Sequence, residues 1–264
     1  MGRHLQIVLV AGAFLSVLTG CGPTFGPKAA HGIVFYAPGA GNIDFGDQGI
    51  RRGLERAGYP GQVASVMWTV SFVAPIDQRL GNARLGGLRL ARHIEQYIDE
   101  YPNGEVNLIG LSAGTGVAIW ALENLKPGYY VNNVVLLSSS LYHQYDITKA
   151  LPRVRGRIYN YYSSEDAVLT VLMKPIGTID GIPFADGAGA VGLHPPKGAD
   201  RVTNIAWRPE FRQYGYYGGH TDVTSPDFVR VSIARHVMAD QPAAARHAAS
   251  ATDPAQWSPA GRPD

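Results

Sequence analysis

Ser112 stands in Gly110-Leu111-Ser112-Ala113-Gly114, a G-x-S-x-G pattern. An apolar run precedes it (Val106 to Ile109) and a helix-forming run follows it (Thr115 to Leu122). A serine on a sharp strand-to-helix turn is pushed out of the sheet with its hydroxyl exposed, and small neighbours let the turn close. The helix N-terminus then points free N–H groups and positive partial charge at any oxyanion formed beside that serine. Acyl transfer is the chemistry that uses such a turn. It also needs a base within hydrogen-bond reach and a third group to orient the base.

With this turn, the partners follow in the order serine, acid, histidine. Two strands after the serine strand comes Ser163-Ser164-Glu165-Asp166, with two adjacent carboxylates. After the next strand comes Tyr214-Gly215-Tyr216-Tyr217-Gly218-Gly219-His220. His220 is the histidine that combines chain order, strand position and a glycine setting. Past His4, the others lie at 31, 93, 236 and 247, in helices or the two ends, at 143, ahead of the acid, and at 194, ahead of the sixth strand. Asp222 reads as a cap or surface group. An oxyanion needs two donors. The N–H of Ala113 is one. The loop Pro38-Gly39-Ala40-Gly41 offers the other, with Ala40 first and Gly39 next.

The elements that must position these groups alternate. Strands are expected at 32–36, 63–70, 106–109, 131–137, 157–162 and 202–207. Helices are expected at 48–57, 83–101, 115–122 (amphipathic), 166–173 and 227–238. A helical turn is expected at 147–151 and a Gly/Pro-rich loop at 174–200. That alternation predicts an α/β domain over 32–240, with a mainly parallel central sheet and helices on both faces.

The two ends read differently. Met1 to His4 is a short basic start, and Leu5 to Leu18 is apolar but short for a bilayer span. Leu18-Thr19-Gly20-Cys21 follows, and Cys21 is the one cysteine of the 264 residues. This resembles a bacterial lipobox, which implies a signal peptide over 1–20, lipidation at Cys21 and a membrane anchor. Gly22 in place of aspartate then favours the outer membrane, periplasmic side. Residues 21–31 read as a tether and 241–264 as a disordered tail rich in Ala and Pro. A formal net charge of +2 with scattered basic residues argues against a nucleic-acid partner.

On Pro38–Gly41, Gly110–Gly114, Asp166 and His220, the chain from 33 to 238 resembles the α/β-hydrolases. The resemblance implies an eight-stranded type of sheet, trimmed here because the sequence shows no counterpart of its first two strands, an acid at Asp166 with Glu165 as alternate, no metal and no organic cofactor. Pro38 stands where many members carry a histidine. Residues 138–156 are too few for a large cap domain, so the site is expected to be open or covered by 174–200. The expected activity is hydrolysis of a carboxylic ester through a Ser-His-Asp triad and an acyl-enzyme. The same residues admit a lipase or acyltransferase on envelope lipids, or a peptidase. A non-catalytic envelope lipoprotein would carry a broken triad.

Overall fold

The computed structural model describes residues 24–42, 46–69 and 82–238. The signal segment, Cys21 and the 241–264 tail lie outside them. Six strands form one parallel sheet: β1 (Ile33–Ala37), β2 (Gln62–Ser65), β3 (Val106–Leu111), β4 (Val134–Leu137), β5 (Ile158–Tyr162) and β6 (Val202–Ala206). Their spatial order is β2-β1-β3-β4-β5-β6, and every neighbouring pair is parallel. Helices α1 (Gly46–Arg56), α2 (Asn82–Glu100), α3 (Ala113–Asn124) and the short α4 (Ala188–Val191) connect them. The last helix, α5, runs through Pro226–Phe228, Val229–Ile233 and Ala234–Val237, with a π-type middle stretch. This is a parallel α/β sheet with helices on both faces, and no cap domain stands between β4 and β5.

Both faces of the central strands β1, β3 and β4 are buried, as a parallel sheet requires, while the edge strands β2 and β6 are largely half-buried. Side chains alternate along β1. Ile33 and Phe35 pack with α2 and α3, while Val34 and Tyr36 pack with α1 and α5. The alternation continues in β3, with Leu108 on the first face and Ile109 on the second. Helix α3 is not amphipathic. Every residue from Ala113 to Leu122 is buried. The cause is α2, which lies close enough that a Cβ on Gly87 would stand 2.7 Å from Trp120 Cβ.

Two other expectations change. Strand β2 ends at Ser65, not at 70. Beyond it Trp68 leaves the ladder, turns inward and donates its indole N–H to Pro38 O at 2.8 Å. The expected tether is docked from Thr24 onward. Phe25 meets Tyr97 and Tyr101 edge-on, and Tyr97 donates its hydroxyl to Ala29 O. The Gln62 amide donates to Thr24 O and accepts from Gly26 N–H. Residues 24–31 thus sit at the N-terminal ends of β1 and β2.

His236, on α5, is buried against Tyr159 with ring centroids 3.7 Å apart, and its Nε2 meets the Tyr161 hydroxyl at 3.1 Å. Burial, then the neighbouring Arg235, pushes its pKa down to about 3. The unfolded chain therefore binds a proton here that the folded chain refuses. The neutral imidazole costs nothing above pH 6.5, and stability falls as pH drops below that value. Full coupling contributes about 1.4 kcal/mol per pH unit. Urea unfolding followed from about pH 6.5 to about pH 5 should show this loss. His236→Phe, which keeps the stack, should reduce the slope by about one proton.

Candidate active site

The register brings the strand ends to one level. Ala37 pairs with Gly110, Leu111 with Leu137, Leu137 with Tyr161, and Tyr162 with Ala206. The loops that leave these ends therefore share one edge of the sheet. Ser112 is the first residue past β3. It holds φ 52, ψ −119, a conformation unfavourable for a residue with a Cβ. Its surroundings hold it there. Ser112 N–H donates to Leu137 O at 2.9 Å, and Ser140 N–H donates to Ser112 O at 3.4 Å. Thr115 Oγ1 donates to the same carbonyl at 2.5 Å and meets Ser139 Oγ at 2.9 Å.

The two motif glycines are needed for close approach. A Cβ on Gly110 would lie 2.7 Å from Gly114 O and 2.8 Å from Thr115 Cα. A Cβ on Gly114 would lie 2.1 Å from Ala37 O and 2.4 Å from Pro38 O. The loop after β1 therefore rests directly on the first turn of α3. That contact sets the Ala37–Pro38 backbone, and with it the start of the loop that carries Gly39 and Ala40, against the N-terminal turn of α3, where the Ala113 N–H is among those a helix start leaves without an intrahelical acceptor. Two further residues fasten the loop. Trp68 holds Pro38 O, and Asn42 donates from its amide to Thr69 O while its Oδ1 accepts Trp68 N–H at 3.3 Å. The sequence marks neither residue for this role. Each contact joins segments some 26 to 30 residues apart, and no local pattern announces it.

Asp166 is fully buried after β5. Its Oδ1 accepts the N–H groups of Val168 and Leu169, both at 3.1 Å. Its Oδ2 meets His220 Nδ1 at 2.8 Å. Three donors thus fix the carboxylate, the geometry that holds an imidazole in one orientation and leaves Nε2 free to act. Glu165, the sequence alternate, is exposed, and Ser163 Oγ accepts its N–H at 3.1 Å. Among the described residues no other histidine forms an ion pair.

The His220 loop is held by Asp222, which is neither a cap nor an idle surface group. Its Oδ2 accepts Tyr217 N–H at 2.9 Å. The buried Tyr216 lies behind, and burial, followed by the charges of Asp222 and Asp166, pushes its hydroxyl pKa up. The tips of β4 and β5 link serine to acid through backbone bonds. Gly189 N–H donates to Ser139 O, and Ser163 N–H donates to Gly189 O. Among the described residues no hydrogen bond joins the Ser112 hydroxyl to His220. Such bonds often tighten only when substrate binds. Ser112 remains partly exposed, so the 174–200 segment borders the site and does not seal it.

No protein-family model and no curated protein matches the sequence. Among solved structures, the chain is similar to a cutinase-like protein from Cryptococcus sp., at 14% identity over 82% of this chain and 97% of that one, with a TM-score of 0.43. It is also similar to a structure from work on LipS and LipT, two metagenome-derived lipolytic enzymes, at 13% identity over 84% and 97%, with a TM-score of 0.47. An acetylxylan esterase matches at 10% identity over 79% and 95%, with a TM-score of 0.44.

Proposed function

We propose that the chain is a serine hydrolase that cleaves a carboxylic ester. The observation that carries this reading is the buried Asp166–His220 bond, on the same edge of the sheet as the strained Ser112 turn. In this reading His220 Nε2 takes the Ser112 proton as Oγ attacks the ester carbonyl. The N–H groups of Ala113 and Ala40, with Gly39 beside them, stabilise the oxyanion. Collapse of the tetrahedral intermediate expels the alcohol, which takes its proton from His220. Water, deprotonated by the same imidazole, then releases the acid from Ser112. Asp166 stays ionised and stabilises the imidazolium.

The test is a rapid-quench mass measurement with p-nitrophenyl acetate. One acetyl group per chain should accumulate during the first turnover. Turnover with no acyl adduct, under conditions that trap one in a serine hydrolase, would contradict the reading.

We also infer that Cys21 is lipidated and anchors the protein in the bacterial envelope. The support is the basic start, the apolar run and Leu18-Thr19-Gly20-Cys21. Three residue-to-residue steps lead from Cys21 to Thr24, a reach of roughly 10 Å. Thr24 is held at the N-terminal end of β2, whereas Ser112 follows the C-terminal end of β3. An anchor there directs the site away from the surface that holds it. Cys21→Ser should move the protein from the membrane to the soluble fraction of cells. Unchanged sedimentation with membranes would count against lipidation.

A further inference from the structure

Most of the large apolar side chains left in water surround one edge of the molecule. Apart from Tyr130 and Val191, all of those exposed among the described residues lie in segments beyond the C-terminal ends of the strands, on the side of Ser112. Four of them form one ridge. Val171 and Leu172, each 64% exposed, end the helical stretch that Asp166 begins. Ile182 and Phe184 (74% exposed) come from the segment that folds back on it. Phe184 N–H donates to Lys174 O, which brings Phe184 close to Leu172.

The ridge is ordered and joined to the nucleophile. Thr178 N–H donates to Ile182 O, and Ile182 N–H donates to Thr178 Oγ1. The buried Ile179 packs on α3, where a Cβ on Gly116 would stand 2.9 Å from its Cγ2. Ile179 N–H donates to Ser140 O, and Ser140 N–H donates to Ser112 O. Phe184 also holds φ 57, a left-handed conformation that costs a non-glycine residue free energy. In the free protein that strain leaves an aromatic ring in water, with no burial to offset it.

The charges of this segment are already engaged. Residues 168–187 carry Lys174, Asp180 and Asp186 as their charged side chains. Lys174 pairs with Asp186 at 3.1 Å, and Asp180 Oδ1 accepts Tyr142 N–H at 2.8 Å. The ridge is therefore apolar apart from the half-exposed Lys174–Asp186 pair, and it is tied to the serine through the backbone of Ile179 and Ser140.

We infer that Val171, Leu172, Ile182 and Phe184 form the acyl-chain subsite, and that the substrates are esters of extended apolar acids. This rests on the reading of Ser112 as an esterase nucleophile. A methylene moved fully out of water contributes about fourfold. Octanoate adds six methylenes to acetate; with about four of them on the ridge, each covered on one side, the contribution should be on the order of tenfold.

The test compares p-nitrophenyl acetate with p-nitrophenyl octanoate on the full chain. The readout is the octanoate-to-acetate ratio of kcat/KM, in which the active fraction of each preparation cancels. The wild type should favour octanoate, and Leu172→Ser with Phe184→Ser should lower the ratio about tenfold. Val191→Ser, on an exposed apolar residue outside the ridge, should leave it unchanged. Ser112-dependent hydrolysis with a ratio that the double variant does not move would overturn the subsite alone. Hydrolysis that survives Ser112→Ala would overturn both the subsite and the reading beneath it.

Discussion

Asp166→Asn should lower kcat/KM on short esters by about three to four orders of magnitude, and Glu165→Gln should change it by less than about twofold. The contrast follows from the turn after β5. Ser163 Oγ accepts the Glu165 N–H, Asp166 N–H donates to Ser163 O at 3.3 Å, and the chain then carries residue 166 inward and residue 165 outward. Asn keeps the shape of Asp166 but presents either an N–H₂ or a neutral oxygen to His220 Nδ1. The first forces the wrong tautomer. The second gives up the charge that stabilises the imidazolium. Losses of this size accompany a wrong tautomer in such triads. Steady-state kinetics on both variants check it. Equal effects at 165 and 166 would contradict the assigned acid.

Gly114→Ala should cost stability and activity together. The added methyl would meet two backbone carbonyl oxygens, those of Ala37 and Pro38, and neither is the end of a flexible side chain. The strand-end loop must retreat from α3. The expected destabilisation is on the order of 3 kcal/mol, in the range of severe overpacking. In the proposed mechanism the retreat also displaces Ala40, so kcat should fall by about 100-fold, the effect of losing one oxyanion donor. Gly128→Ala serves as the control. Gly128 has φ +95 with nothing within 4 Å of where a methyl would stand, so that change should cost about 1 kcal/mol and leave kcat alone. Denaturant midpoints and kcat on the two variants separate crowding at the site from backbone strain elsewhere.

What the sequence discloses follows the range of the interactions. Strands such as Ile33–Ala37 and the glycine-serine turn are written in neighbouring residues, because backbone sterics and side-chain alternation act locally. The preference for Asp166 over Glu165 comes from the family resemblance, since adjacent carboxylates differ locally only in which way the turn faces them. Contacts between distant segments leave no trace in the sequence. Trp68 bonds Pro38 O across 30 residues, Gly87 admits Trp120, and Phe25 finds Tyr97 and Tyr101. The first ends β2 early and fixes the loop beside Ser112. The second buries a helix that reads as amphipathic. The third docks a segment whose composition reads as a tether. Asp222 reads as a surface group for a similar reason. Its partner, Tyr217 N–H, carries no signature in the sequence.

Covalent labelling tests the role of Ser112 most directly. The full chain is treated with a fluorophosphonate, digested, and the modified peptide sequenced by mass spectrometry. The expected result is one phosphonyl group per chain, on Ser112, with labelling and ester turnover both lost in Ser112→Ala. A phosphonyl group on another residue, or undiminished labelling and turnover in Ser112→Ala, would contradict it.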